Sequence, residues 1–196
     1  MIKRETHSIG DKVKIKKQQV VEEIIPEISY ISDQNIRDCT SMTWIRAIEL
    51  GGWKSLVGIP FSPLIPNDST SLINHTRTVT QMCLSVADII EKAHGSIIDR
   101  DYLLSGAILH DIGKLIEYKK KSGKVVKSDK GKFLRHPFIG AWLALECGLP
   151  YEVAHIIAVH SQEGDLMERS PEAIIVHHCD FIHFNLLKSF SRSKNC

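Results

Sequence analysis

No window of this 196-residue chain holds the run of about 20 apolar residues that a membrane-spanning helix needs. The start, Met1-Ile2-Lys3-Arg4-Glu5, has no apolar stretch behind its charges, which argues against a secretory leader. The five cysteines (Cys39, Cys83, Cys147, Cys179, Cys196) are odd in number and form no Cys-x-x-Cys pair. That pattern speaks against a disulfide framework and for reduced thiols in the cytoplasm. Aromatic residues are scarce at 7%, and none interleaves with the lysines as a single-stranded nucleic-acid platform would require. There is no internal repeat and no clear strand apart from a short hairpin around Gly123. Charge of one sign is also missing overall, since the net value is only +2. What charge there is lies in clusters. Eight basic residues between Lys119 and Arg135 face one acid, Asp129, a local net of +7. A second basic cluster occupies the first seventeen residues.

A hydrophobic content of 43% is ample for one buried core, and the periodicity is helical throughout. Residues 1–69 read as an N-terminal extension: a basic lead to about residue 35, a helix from Asn35 to Leu50 stopped by Gly51-Gly52, and a proline-rich loop over 58–67. Residues 70–187 read as one domain of five helices, with 188–196 as a tail. The predicted helices run from Ser71 to Ala93, from Arg100 to Ile112, from a His136 cap to Gly148, from Pro150 through His160, and onward from Ser170-Pro171-Glu172. The fold class is all-α. Trp44, Trp53 and Trp142 are expected in the core.

Several polar residues interrupt the apolar stripes. His75 stands within the stripe of the first domain helix, formed by Leu72, Val79, Met82, Val86 and Ile90. Asp111 continues the stripe of the second, with His110 beside it, and His160 completes that of the fourth. Asp180 lies in the most apolar helix of all. A single histidine on such a face is commonly a hydrogen-bonded core residue. Four helices that each turn a His or Asp inward point instead to one shared site, because an unpaired buried carboxylate costs several kcal/mol. Imidazole and carboxylate without thiolate suit Mn, Fe, Ni, Zn or Mg rather than a structural zinc.

Ile108-Leu109-His110-Asp111-Ile112-Gly113-Lys114 resembles the signature of the HD-domain metal-dependent phosphohydrolases in its HDIG form. The likeness spans about residues 70–187. His75 in Asn74-His75-Thr76-Arg77 is similar to the family's first histidine, His110 and Asp111 to its paired ligands, and Asp180 in His177-His178-Cys179-Asp180 to its distal aspartate. His136 and His160 resemble the additional ligands of binuclear members. The resemblance implies a five-helix core that holds one or two divalent ions per chain. The Gly-Tyr-Pro element of the branch that cleaves cyclic di-GMP is replaced here by Ser161-Gln162-Glu163-Gly164-Asp165, so that substrate is not expected.

Adjacent helical residues point about 100° apart, so His110 and Asp111 can share an ion only near a helix end. The expected arrangement has His75, His110, Asp111 and Asp180 around the first ion and His136 and His160 at a second, with Asp111 bridging. Such ions lower the pKa of bound water and clamp phosphoryl oxygens. The sequence thus predicts hydrolysis of a phosphomonoester or phosphodiester of a nucleotide or related metabolite, with Asp111, Lys114 and His136 as the catalytic set. Lys114 would offset charge on the phosphoryl group. With a single ion, His136 and His160 could bind phosphate or protonate the leaving oxygen. The basic 119–135 segment is either a lid for an anionic substrate or a solvated turn. His177 is a candidate partner of the ligand shell; His155 and His178 read as packing or surface residues. A diiron oxygenase and a regulatory module without turnover are the competing readings. Nucleic acid has only the basic clusters in its favour, and the sequence carries no signal for oligomeric state.

Overall fold

A computed structural model describes residues 18–56, 59–62, 70–95 and 97–193. The basic lead up to residue 17 and most of the proline-rich loop therefore lie outside the described residues. Residues 18–24 form α1, followed by a 3-10 turn at Pro26–Tyr30. The helix α2 is Gln34–Gly51, begun by the Asp33 carboxylate accepting from the Asn35 and Ile36 amides and closed by left-handed Gly52 at φ 69°. Next come α3 (Leu72–His94), with Ser71 as its cap, and α4 (Arg100–Leu109), capped by Asp99. The short α5 (Lys114–Glu117) leads into an antiparallel hairpin, β1 (Tyr118–Lys121) and β2 (Lys124–Lys127), joined at the expected Gly123. The chain ends with α6 (His136–Glu146), α7 (Tyr151–Val159) and α8 (Pro171–Ser193). The all-α class holds. Among the described residues, no helix is long and apolar enough to cross a membrane.

Two apolar clusters meet at α4 and α7. One joins Leu104, Ile108, Val153 and Ile157 to Val21, Ile25, Ile28, Ile31 and Trp44 from the N-terminal segment. The other joins Leu103, Ala107, Ile156 and Val159 to α3 and α8 through Val79, Cys83, Val176 and Cys179. Each of the two central helices is buried on opposite sides, so their ends are firmly placed. Gly106 allows their close approach: a Cβ there would lie 2.5 Å from Ile156 Cγ2. The extension is thus part of the same core as the helices that follow.

Several boundaries differ from expectation. α4 stops at Leu109 rather than Ile112, because the chain tightens into a turn there. Arg135, not His136, is the residue before α6, and His136 opens the helix. α8 continues to Ser193, into the residues 188–196 read as a tail. Trp44 is fully buried and Trp53 partly so, with its indole N–H donating to the Leu115 carbonyl at 2.7 Å. Trp142 is not core: it is 54% exposed, on the outer side of α6.

Candidate metal centre

His110 and Asp111 leave the end of α4 in a tight turn, in which Ile112 N–H donates to Leu109 O and Lys114 N–H to Asp111 O. This turn lets two consecutive side chains face one centre, which a continuing helix would not allow. Gly113 is required by packing: a Cβ there would meet the His136 carbonyl oxygen at 2.1 Å. The same close approach brings α6, and so His136, to Asp111. His160 follows the last residue of α7 just as His110 follows that of α4. Two helix C-termini, the negative ends of their dipoles, therefore converge here and favour a cation. His75 comes from the first turns of α3 and Asp180 from the middle of α8.

All six residues are brought together and buried. His75, His110 and Asp180 form one group, and Asp111, His136 and His160 another, each with ligand atoms mutually within 4.8 Å. Asp111 joins them. Its Oδ2 lies 3.3 Å from His75 Nε2 and 3.4 Å from His110 Nε2, while its Oδ1 lies 3.2 Å from His136 Nε2 and 3.7 Å from His160 Nε2. One carboxylate oxygen thus faces each group. His75 Nε2 is also 3.2 Å from Asp180 Oδ1.

The remaining ring nitrogens show what the centre would accept. His110 Nδ1 lies 2.7 Å from the Ala107 carbonyl, His160 Nδ1 2.7 Å from the Ile157 carbonyl, and His136 Nδ1 2.9 Å from Glu117 Oε2. These oxygens only accept, so each Nδ1 carries its proton, and each ring in its neutral form turns an Nε2 lone pair inward. Lone pairs then face carboxylate oxygens, acceptor against acceptor. His160 Nε2 is buried with no hydrogen-bond partner. A divalent cation would satisfy all of these groups at once, so the donor set fits one.

The electrostatics favour positive charge at this centre. Burial opposes charge on His110, yet the Asp111 carboxylate and then Asp180 raise its pKa. Burial would also raise Asp111, but Lys114 and His110 hold it well below the usual carboxylate range. Asp180 is lowered too, against its burial, by the hydrogen bond with His75 and the charge of His110. Burial carries His136 down to about 4, a shift the Glu117 hydrogen bond only partly offsets. Lys114 Nζ donates to Asp111 Oδ2 at 2.6 Å and lies 4.3 Å from the centre of the Phe61 ring. The centre opens into a cavity of about 280 Å³ whose walls include Lys114, Tyr118, Arg135, Phe181, Phe184 and Lys188.

Three contributors were missed in the sequence. Glu117 is a fully buried carboxylate that accepts from both the backbone and the ring of His136. His183 lies one turn beyond Asp180, with its Nδ1 2.8 Å from that of His75. Phe61 stacks on His75 with centroids 3.6 Å apart. His177 bonds the backbone carbonyl of His160 at 2.7 Å, so it supports that residue through its peptide rather than its ring. Of the basic 119–135 segment, Arg135 reaches the cavity wall and Lys127 stands 3.5 Å from Glu117, while most of its lysines are exposed.

Comparison with known proteins leads to the same segment of the chain. A dihydroneopterin 2',3'-cyclic phosphate phosphodiesterase of Methanocaldococcus jannaschii is 36% identical over 112 residues. The match covers 56% of this chain and 44% of the relative, so this chain spans less than half of that protein's length. No solved structure matches. Residues 72–185, from the start of α3 into α8 and with all six converging side chains inside them, match the HD domain, and the chain belongs to the HD-domain family.

Proposed function

We propose that this chain is a divalent-metal-dependent phosphohydrolase acting on a phosphomonoester or phosphodiester of a nucleotide-like metabolite. The observation that carries the reading is Asp111, which offers one oxygen to each histidine group at the floor of a cavity lined by cations. His75, His110, Asp111 and Asp180 would hold one ion and Asp111, His136 and His160 a second, drawn from Mn, Fe, Ni, Zn or Mg. Bound there, such an ion supplies Lewis-acid activation of water and neutralises phosphoryl charge.

The chain's own groups do the rest. Lys114, anchored on Asp111 and Phe61, and Arg135 in the same cavity wall would bind phosphoryl oxygens and offset charge that builds on them. Glu117 fixes the His136 tautomer. A His136 imidazole held near 4 is neutral at physiological pH, which suits a ligand better than a general acid. Cations in the cavity favour phosphate over the oxygenase alternative. The activity named for the M. jannaschii relative supports a phosphodiester, a cyclic one included. Reduced Cys39, Cys83, Cys147 and Cys179 support a cytoplasmic address.

The test is phosphoester hydrolysis by the full chain, loaded with each ion in turn, over nucleotides, 2',3'-cyclic phosphates and other phosphodiesters. Metal-dependent turnover, abolished together with metal binding in Asp111→Ala while the helical circular dichroism is kept, is expected. Full metal content in that variant, or no turnover of any phosphoester with any ion, would overturn the reading.

A further inference from the structure

Four histidines turn Nε2 toward the centre, and three of them anchor Nδ1 on an oxygen: Ala107 O, Ile157 O and Glu117 Oε2. The fourth differs. His75 Nδ1 meets another imidazole nitrogen, His183 Nδ1, at 2.8 Å. The two nitrogens are far closer than the ring centroids, which are 4.9 Å apart, so the contact is made through them.

A hydrogen bond between two imidazole nitrogens needs one donor and one acceptor. If His75 gives an Nε2 lone pair to an ion, its own proton must sit on Nδ1, and Nδ1–H must donate. His183 Nδ1 is then the acceptor, and the His183 proton is confined to its Nε2. One contact thereby sets the tautomers of both rings. It also fixes the rotation of the His75 ring, whose face is packed on Phe61 at 3.6 Å. His183 stands three residues after Asp180 on α8, so one face of that helix provides both a candidate ligand and the group that orients another.

We infer that His183 is a positioning residue of the metal centre: as a neutral hydrogen-bond acceptor it holds His75 in the tautomer and rotation that ligation requires. This rests on the reading of His75 as a ligand. Partners of this kind commonly account for about 10–100-fold in metal affinity.

The test is a Co2+ titration of the full chain against a competing chelator, with the visible absorption of the ion reporting its ligand set. His183→Asn places an amide oxygen where Nδ1 stands and keeps the acceptor. His183→Phe keeps a ring but removes it, and His183→Ala removes both while leaving space. Thermal unfolding without metal monitors the fold of each variant. The expected result is a loss of about 10–100-fold in Co2+ affinity for Phe and Ala, with the Asn variant within a few-fold of wild type and an unaltered spectrum. Equal affinity in all variants, or equal loss in Asn and Phe, would overturn the role of His183. His75→Ala separates the two ideas: wild-type Co2+ affinity in that variant would defeat the ligand reading itself.

Discussion

At the scale of single residues, the centre depends as much on Glu117 as on the groups expected to meet an ion. Its carboxylate accepts from the His136 backbone N–H at 2.8 Å and from the ring at 2.9 Å. Glu117→Ala is expected to weaken metal binding at the Asp111–His136–His160 group by about 10–100-fold, measured by equilibrium titration. Lys114 belongs to the other class. Lys114→Ala should retain metal and lower kcat by about 100-fold or more in steady-state kinetics, as for loss of a group that meets developing charge. The sequence made His75, Asp111, His160 and Asp180 legible as polar residues on apolar stripes, with His110 beside Asp111 and His136 added by the family resemblance. Glu117 sent no such signal. It follows Leu115-Ile116 and precedes Tyr118 and a run of lysines, so it reads as the acid of a solvated helix end. It is buried by the returning hairpin, whose Ser128 N–H donates to its carbonyl and whose end is followed by Gly131, packed against that same peptide. Trp142 fails in the opposite sense: it reads as a core aromatic, but it lies off the buried stripe of Ile139, Gly140, Leu143 and Ala144, and nothing among the described residues covers that side of α6.

At the scale of elements, the functional unit is the turn between α4 and α5 together with the start of α6. Gly113→Ala would drive a methyl group into the His136 carbonyl and push α6 away from Asp111. A loss of about 1–3 kcal/mol in urea unfolding is expected, with reduced metal affinity, because overpacking must be relieved by backbone movement. A stable variant with unchanged affinity would show that α6 is free to shift. Gly113 was legible as a stop signal, but its reason was not, since the carbonyl it makes room for comes from a residue 23 positions along the chain. Hydrophobic period located the helices well and their ends less well. α4 yields to a turn three residues early, and that turn is what brings the His110 and Asp111 side chains to one centre. α8 outruns its apolar pattern because a helix continues until something stops it.

For the whole molecule, protonation and stability are linked through the same buried groups. His136 titrates near 4 when folded against an ordinary 6.5, so the unfolded chain binds more protons across that interval. Metal-free protein should therefore lose stability as pH falls from about 6.5 toward 4. Glu117, at about 2 against 4.5, extends the decline below 4.5. Thermal midpoints across pH 3–8 would check both, and a flat profile would contradict them. The N-terminal extension carries no motif, and the sequence says nothing of where it packs. Its Val21, Ile25, Ile28 and Trp44 nonetheless complete the core beneath α4 and α7. From that same segment Phe61 lies between His75 and Lys114, touching both from a stretch of chain outside the family match. Relatives that share all six converging residues are therefore free to differ in reactivity, because the surface on which His75 and the Lys114 cation rest can be exchanged without altering the motif by which the family is recognised.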